Sequence, residues 1–498
     1  MTDTMNQIAE AGTETIFGSD DFAELLQREF RPKSEQARSA VEEAVKTLAE
    51  QALENQTLVS DDALRSIEGI IAEIDRKLTE QVNHIIHHEE FQKIESAWRG
   101  LHFLVNNTET DEMLKIRVLD ISKKELSKTV RKFKGTAWDQ SPIFKKLYEE
   151  EYGQFGGEPY GCLVGDFHFS HSAPDVELLG EMSKIAAAAH APFVTGADPA
   201  LFQMDSWSEL ANPRDLTKIF QTPEYAAWRS LRESEDSRYL GLAMPRFLGR
   251  HPYGAKTDPV EEFAFEEDTE GADSNKYCWV NAAYGMARNI TRSFKDYGWC
   301  SRIRGVESGG VVEGLPTHTF PTDDGGVDMK CPTEIAISDR REAELAKNGL
   351  MPLIHRKNSD VAAFIGAQSL QKPAEYHDPD ATANAALAAR LPYLFATCRF
   401  AHYLKCIVRD KVGSFKERSD MQEWLQSWIN NYVDFNAETS PEEVKAAHPL
   451  AAAEVQVEEI EGNPGYYGAK FFLRPHYQLE GLSVSLRLVS KLPSQKGE

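Results

Sequence analysis

The chain is 498 residues long and 41% hydrophobic, with 79 acidic against 55 basic side chains and a net charge of −24. At about 150 residues per domain the length suggests roughly three structural units. The acidity disfavours a nucleic-acid backbone, where like charges repel and no counterions are released, and broad contact with anionic lipid. It favours solubility and leaves room for a partner with basic patches.

The amino terminus, MTDTMNQIAEAGTETIF, has neither a basic start nor an apolar run, so it reads as no signal peptide. No stretch approaches the roughly 20 apolar residues of a membrane span, so direct membrane insertion is not expected. Cys162, Cys278, Cys300, Cys331, Cys398 and Cys406 are scattered without a C-x-x-C pair, the pattern of reduced thiols in a cytoplasmic protein.

Residues 1–18 are polar and aperiodic and read as a mobile tail. Phe22, Leu25, Leu26 and Phe30 then share one face of a short helix that Pro32 ends. A second helix is predicted from Ser34 to Asn55, with Val41, Val45 and Leu48 on one side. From Ser60, Leu64, Ile67, Ile71, Ile74, Leu78, Val82 and Ile85 keep a helical period that continues through Phe91, Ile94, Trp98, Leu101 and Leu104.

Tyr160–Phe169 suits a buried strand, Asp175–Ala189 a helix and Phe193–Thr195 another strand, an order that predicts an α/β layer with some parallel pairing. Tyr239–Met244 and Thr333–Ser338 are further strand candidates, with a helix between them over Lys276–Tyr297. A boundary is expected near Pro373–Asp380. Beyond it lie a helical stretch over Ala381–Asp410 and a helix over Asp420–Val433, with Ser419 and Gln422 as its capping box. Phe471–Leu473 is a strand candidate. Leu482, Val484, Leu486 and Leu488 alternate with polar residues in a last strand that has one apolar face. The fold class expected is mixed α/β.

Chemistry is harder to find. There is no phosphate loop; Gly465–Lys470 lacks the spacing and the terminal hydroxyl residue. There is no G-x-S-x-G elbow and no H-E-x-x-H. His84 and His88, read at i, i+4 with His87 between them, have the spacing to share a metal, but helical histidines on a solvated face are common. His168 and His171 follow a strand near Asp166, where α/β sheets often hold ligands, yet no nucleophile or complete ligand set accompanies them. Residues 305–314 are glycine-rich, but Glu307 and Glu313 would repel a phosphate, and a turn between strands is the better reading. Cys300 has Arg302 and Arg304 nearby and no evident base, which suits a structural thiol. No catalytic, cofactor or metal residue is assigned. The Phe22/Leu25/Leu26/Phe30 face fits either packing on its own protein or docking in another protein's groove. The terminal strand fits either its own sheet or a neighbour's open edge.

The chain closely resembles the large subunit of the type VI secretion contractile sheath, the TssC/VipB family, also called ImpC or EvpB. The matching stretches are AWRGLHFLV at Ala97–Val105, LYEEEYGQFGGEPYG at Leu147–Gly161 and RYLGLAMPRFLGRHPYG at Arg238–Gly254. They continue with IRGVESGGVVEGLP at Ile303–Pro316, RFAHYLKCIVRDKVGSF at Arg399–Phe415 and LRPHYQLEGLSVSLRLVSKLP at Leu473–Pro493, and FRPKSEQARSAVE at Phe30–Glu42 also fits. The resemblance covers nearly the whole chain.

It implies a non-enzymatic structural protein that needs no cofactor. Such a protein polymerises with a small subunit (TssB/VipA) and with its own copies around an inner tube of Hcp. It grows from a baseplate, contracts to drive the tube and spike into a target cell, and is recycled by the AAA+ unfoldase ClpV. It also implies that residues 1–60 hold unfoldase and small-subunit contacts, 61–375 the sheath body and 376–498 a carboxy-terminal domain with interlocking strands. On this resemblance Phe22, Leu25, Leu26 and Phe30 correspond to the unfoldase-docking helix, and Leu482, Val484, Leu486 and Leu488 to the inter-subunit strand. The rival readings are a soluble α/β enzyme built around Asp166 and His168, and a phage-tail-type sheath protein that needs no small subunit.

Overall fold

The computed structural model describes residues 63–212, 215–269, 274–322, 324–411, 418–459, 467–476 and 478, together with 39, 43 and 44. The Phe22/Leu25/Leu26/Phe30 helix and the Leu482–Leu488 strand lie outside the described residues. The chain divides into two compact units, Met1–Ile86 with Pro252–Asp268, and His87–His251 with Thr269–Glu498.

In the first unit, helix α1 (Ala63–Ile86) carries Asn83, whose amide Nδ2 donates to the Glu266 carbonyl at 3.0 Å while its Oδ1 accepts from the Asp268 N–H at 2.9 Å. One side chain thus pins both faces of a peptide segment. Of the predicted apolar face, Ile71, Leu78 and Ile85 are exposed, and Ile70 and Ile86 are buried instead.

In the second unit, helix α2 (Glu89–Asn106) opens with His88 as its N-cap, the ring nitrogen accepting from the Glu90 N–H. The long helix expected through residue 104 is therefore broken at His87 and His88. Gly100 lies beneath the Tyr284 ring, where a Cβ would fall 2.3 Å from a ring carbon. Glu95 meets Arg250 at 2.5 Å with both side chains nearly buried. Helix α3 (Lys123–Arg131) is closed by a capping box of Ser122 and Glu125.

The centre is a six-stranded sheet. Strand β1 (Leu163–Phe169), helix α4 (Ala173–Ala189) and strand β2 (Phe193–Ala197) form the predicted strand–helix–strand unit. Helix α5 (Ala226–Glu233) and strand β3 (Leu240–Met244) follow. Two-residue strands β4 (Phe247–Leu248) and β5 (Trp279–Val280) pair with each other, and helix α6 (Ala282–Tyr297) then lies against β1, β2 and β3. The helix expected from Lys276 starts later because β5 occupies its first turns. Strand β6 (Val311–Val312), the hairpin β7 (His318–Pro321) and β8 (Val327–Lys330), helix α7 (Asp339–Lys347), strand β9 (Leu350–His355) and strand β10 (Ala362–Phe364) complete this region.

The sheet order is β1-β2-β3-β9-β10-β6, parallel from β1 to β9 and antiparallel thereafter. β2 and β3 are buried at every residue, as a parallel sheet covered on both faces requires. Thr333–Ser338 is not a strand. Thr333 makes one isolated bridge to Phe247, and its hydroxyl donates to the Ile335 carbonyl at 2.9 Å, which turns the chain.

Helices α8 (Pro379–Ala388) and α9 (Leu391–Lys411) divide the predicted Ala381–Asp410 stretch. Helix α10 (Arg418–Asn430), helix α11 (Glu442–Ala447) and the antiparallel pair β11 (Leu450–Glu459) and β12 (Tyr467–Pro475) end the described chain. Trp299, Phe400, Leu425, Ile429, Val455 and Val457 form a second apolar core there. Ser419 falls inside α10, and Gln422 does not cap it. Its Oε1 accepts from the Val457 N–H at 3.1 Å, and one turn on Gln426 accepts from Val455 at 2.8 Å and donates to Ala453 at 3.0 Å. Two glutamines thereby cover the outer edge of β11.

Candidate functional site

The strand end singled out by sequence is a packed polar group. The register of β1 slips between Val164 and His168; such bulges re-aim side chains. Asn281 caps α6 by accepting from the Ala283 N–H at 2.9 Å, and its amide donates to the Phe167 carbonyl at 3.0 Å. The Thr195 hydroxyl lies 2.9 Å from both the Gly165 and Phe167 carbonyls. Gly196 leaves the room: a Cβ there would fall 2.8 Å from Asn281 and 2.9 Å from His168.

Burial pushes the Asp166 carboxyl above its ordinary range, against the pull of hydrogen bonds from Asn281 and Tyr284. Burial also pushes His168 down to about 3, helped by Arg246 and Lys123, so the imidazole is neutral near pH 7. Arg246 is paired with Glu334 at 2.5 Å. His171 stands apart, its Nδ1 donating to the Ala200 carbonyl at 2.9 Å and its ring stacked on Tyr225 at 4.4 Å. The bonds of Asn281 and Thr195 hold the bulge of β1 to α6 and β2. None of them activates a nucleophile.

The other candidates resolve likewise. His84 belongs to α1, whereas His87 and His88 lie between the helices, so the i, i+4 relation fails. Among the described residues no group of three or more His, Cys, Asp or Glu side chains is placed to hold a metal ion. The Cys300 thiol is pushed up to about 12 by burial, with Arg399 rather than Arg302 or Arg304 opposing. Arg302 instead reaches the Tyr297 hydroxyl and the Glu307 carbonyl.

The glycine loop faces inward. Gly305 N–H donates to the Phe364 carbonyl at 2.7 Å, Phe364 N–H to Gly310 at 2.9 Å, and a Cβ on Gly310 would fall 2.3 Å from that same Phe364 carbonyl. The Gly305 amide is therefore spent on β10 and the Gly310 amide on the Gly305 carbonyl, which suits a turn and not a phosphate cradle. Tyr467–Lys470 forms the start of β12.

The sequence reading missed a cleft bounded by α2, residues 112–122 and β1, which encloses 2170 Å³. Its walls leave Ile94, Trp98, Met113 and Val118 between 60% and 69% exposed. The available signal was the alternation of Leu114, Ile116 and Val118 with Lys115 and Arg117.

Two family models match in chain order: "EvpB/VC_A0108, tail sheath N-terminal domain" over residues 68–371, and "EvpB/VC_A0108, tail sheath gpW/gp25-like domain" over 380–492. A Pseudomonas aeruginosa protein described as type VI secretion system sheath protein TssC1 is 77% identical over 485 residues, covering 97% of each chain. Solved structures with similarity include a chain of the anti-feeding prophage baseplate, at 11% identity and TM-score 0.38, covering 76% of this chain and 83% of that one. A chain of the contracted anti-feeding prophage helical sheath is 11% identical with TM-score 0.28, covering 64% of this chain and 75% of that one.

Proposed function

Because the chain belongs to the VipB/EvpB family of type VI secretion tail-sheath proteins, we infer that it is the large sheath subunit that pairs with a small one. It is a subunit of a contractile sheath. In our reading it polymerises in the cytoplasm with the TssB/VipA-type partner around an Hcp-type tube, starts from a baseplate, and is dismantled by a ClpV-type unfoldase. The observation that carries this is the 77% identity across 97% of a type VI sheath protein.

The role is mechanical and not catalytic. Contraction releases energy stored in the extended lattice, so the subunit needs no nucleotide site. The buried sheet supports this reading, because a lattice that transmits force needs a body that moves as a unit. We assign Leu482, Val484, Leu486 and Leu488 to a strand that interlocks with neighbouring subunits, since backbone hydrogen bonds persist while domains rotate. We assign Phe22, Leu25, Leu26 and Phe30 to the helix that the unfoldase grips.

Co-expression with the small subunit tests the reading. Tubules in electron micrographs are the expected result, and a monodisperse monomer that ignores the partner would overturn it. Deleting residues 482–498 should abolish tubules. Leu26→Asp should spare sheath assembly and leave contracted sheaths uncleared, because a carboxylate in an apolar groove is costly to desolvate.

A further inference from the structure

Cys331 follows β8 and His355 ends β9. Their side chains are hydrogen-bonded to each other, and both residues are half-buried, so the pair is partly open to solvent. The backbone shapes the surroundings of the sulfur. The isolated bridge of Phe247 to Thr333 is carried by the Leu248 N–H on the Pro332 carbonyl at 2.8 Å and the Glu334 N–H on the Arg246 carbonyl at 3.0 Å. The Thr333 N–H is left out of that bridge and donates to the Cys331 sulfur. The Thr333 hydroxyl lies 3.2 Å from the same Sγ and 2.9 Å from the Ile335 carbonyl, so it can turn from one acceptor to the other.

The imidazole is oriented from its far side. Its Nε2 lies 2.8 Å from the Ser359 carbonyl. A carbonyl only accepts, so Nε2 carries the hydrogen, and Nδ1 is the basic nitrogen left for the Cys331 thiol. Ser359 is held in the turn between β9 and β10, across which the Arg356 N–H donates to the Val361 carbonyl at 2.9 Å. A nucleophile, a base and a group that orients the base thus stand together.

This setting separates Cys331 from the other cysteines. Burial pushes the Cys331 thiol up, but the bonds from His355 and Thr333 outweigh it and hold the thiol below its ordinary range. Burial pulls His355 down, and its bonds to Cys331 and Ser359 outweigh that and hold it above its ordinary value. Opposite shifts of this kind favour passage of the proton from sulfur to imidazole. Burial pushes Cys162, Cys278, Cys300 and Cys398 up. Cys406 is half-buried like Cys331, but its sulfur faces the Arg409 guanidinium at 3.7 Å, a group with no site to accept a proton.

We propose that Cys331 and His355 form a reactive thiol site that takes a small hydroperoxide, with the sulfur as nucleophile and His355 as its proton acceptor. The thiolate attacks one peroxide oxygen, so that an S–O bond forms as the O–O bond breaks. Sulfur is oxidised to the sulfenic acid and the peroxide is reduced, its departing oxygen taking the proton from His355 and leaving as water. The half-buried position favours an oxidant as small as hydrogen peroxide. The chemistry is independent of sheath assembly, so failure of either leaves the other standing.

Treatment of the full-length chain with hydrogen peroxide, trapping of sulfenic acid by dimedone and peptide mass spectrometry of all six cysteines tests the site. At neutral pH Cys331 should form the adduct at least fivefold faster than Cys406. It should also react at least fivefold faster in the folded chain than in the same chain unfolded in urea, whereas a thiol without activation gains only exposure on unfolding. His355→Gln should slow Cys331 at least fivefold and leave Cys406 unchanged. Adduct formation at Cys331 that is no faster folded than unfolded, or that is unchanged in His355→Gln, would overturn the proposal. If Cys278 and Cys398, buried in the folded chain, become labelled in His355→Gln, that variant has unfolded, and the folded-to-unfolded ratio of the wild-type chain decides alone. Rapid alkylation of Cys331 by iodoacetamide with no dimedone adduct after peroxide would mean an activated thiol that peroxide does not oxidise, and the proposal falls.

Discussion

β2 and β3 and the segment 114–121 are short apolar stretches in one polypeptide, and they meet opposite fates. β2 (FVTGA) and β3 (LGLAM) contain no charged residue and are buried throughout. The segment (LKIRVLDI) inserts a charge at every second or third position, and its backbone edge stays bare. The charges keep the segment in place by tying it to Glu151 and Glu158 while preventing its burial inside the sheet. Full burial makes a strand part of the central sheet, and half burial leaves the segment on the wall of the cleft.

That contrast can be broken at several points. The largest effect should come from the buried side. Leu242→Ala in β3 removes a fully buried side chain and should cost about 2–5 kcal/mol, read as a lower denaturation midpoint of the co-purified complex. Gly100→Ala in α2 forces the Tyr284 ring to move. Overpacking of this kind costs about 1–3 kcal/mol, and the same midpoint reports it.

A smaller effect appears with acid. Burial pushes His402 down to about 4 while its Nε2 donates to the Ala189 carbonyl at 2.8 Å. The unfolded imidazole takes up its proton near pH 6.5, above the folded value. Stability is therefore fully present above about 6.5 and is lost as pH falls towards 4. Each pH unit in that window costs about 1.4 kcal/mol for this one group, and His402→Gln should flatten the midpoint-versus-pH curve there. His168 acts in the same direction, and Asp166, with its raised pKa, in the opposite one.

The smallest effect on stability belongs to the segment. Arg117→Ala removes a half-exposed anchor. It should leave the denaturation midpoint within experimental error, because exposed ion pairs contribute about 0–1 kcal/mol. A large loss of stability would mean that the segment belongs to the core after all.

The sheet was legible where burial and length agree. β1, α4, β2 and β3 stand out because apolar runs are bounded by polar turns. β6 and β10 have two and three residues and leave no periodic trace. The break at His87 and His88 was hidden because helical periodicity persists on both sides of a two-residue interruption. Thr333–Ser338 has strand-forming residues, yet the Thr333 hydroxyl bond to Ile335 wins locally. The sheath family was legible in long matching strings. The cleft was not, because an alternating apolar and charged segment reads the same whether or not it joins a sheet.

The glutamine pair on α10 has a consequence for assembly arithmetic. With Gln422 and Gln426 occupying the outer edge of β11, the β11–β12 hairpin has its only unoccupied side among the described residues at β12. A hairpin with two bare sides is bivalent and can propagate a sheet from copy to copy without limit. With one side stopped it is monovalent. Among the described residues each copy then offers one strand edge at this place, and a sheet built on the hairpin does not propagate through β11.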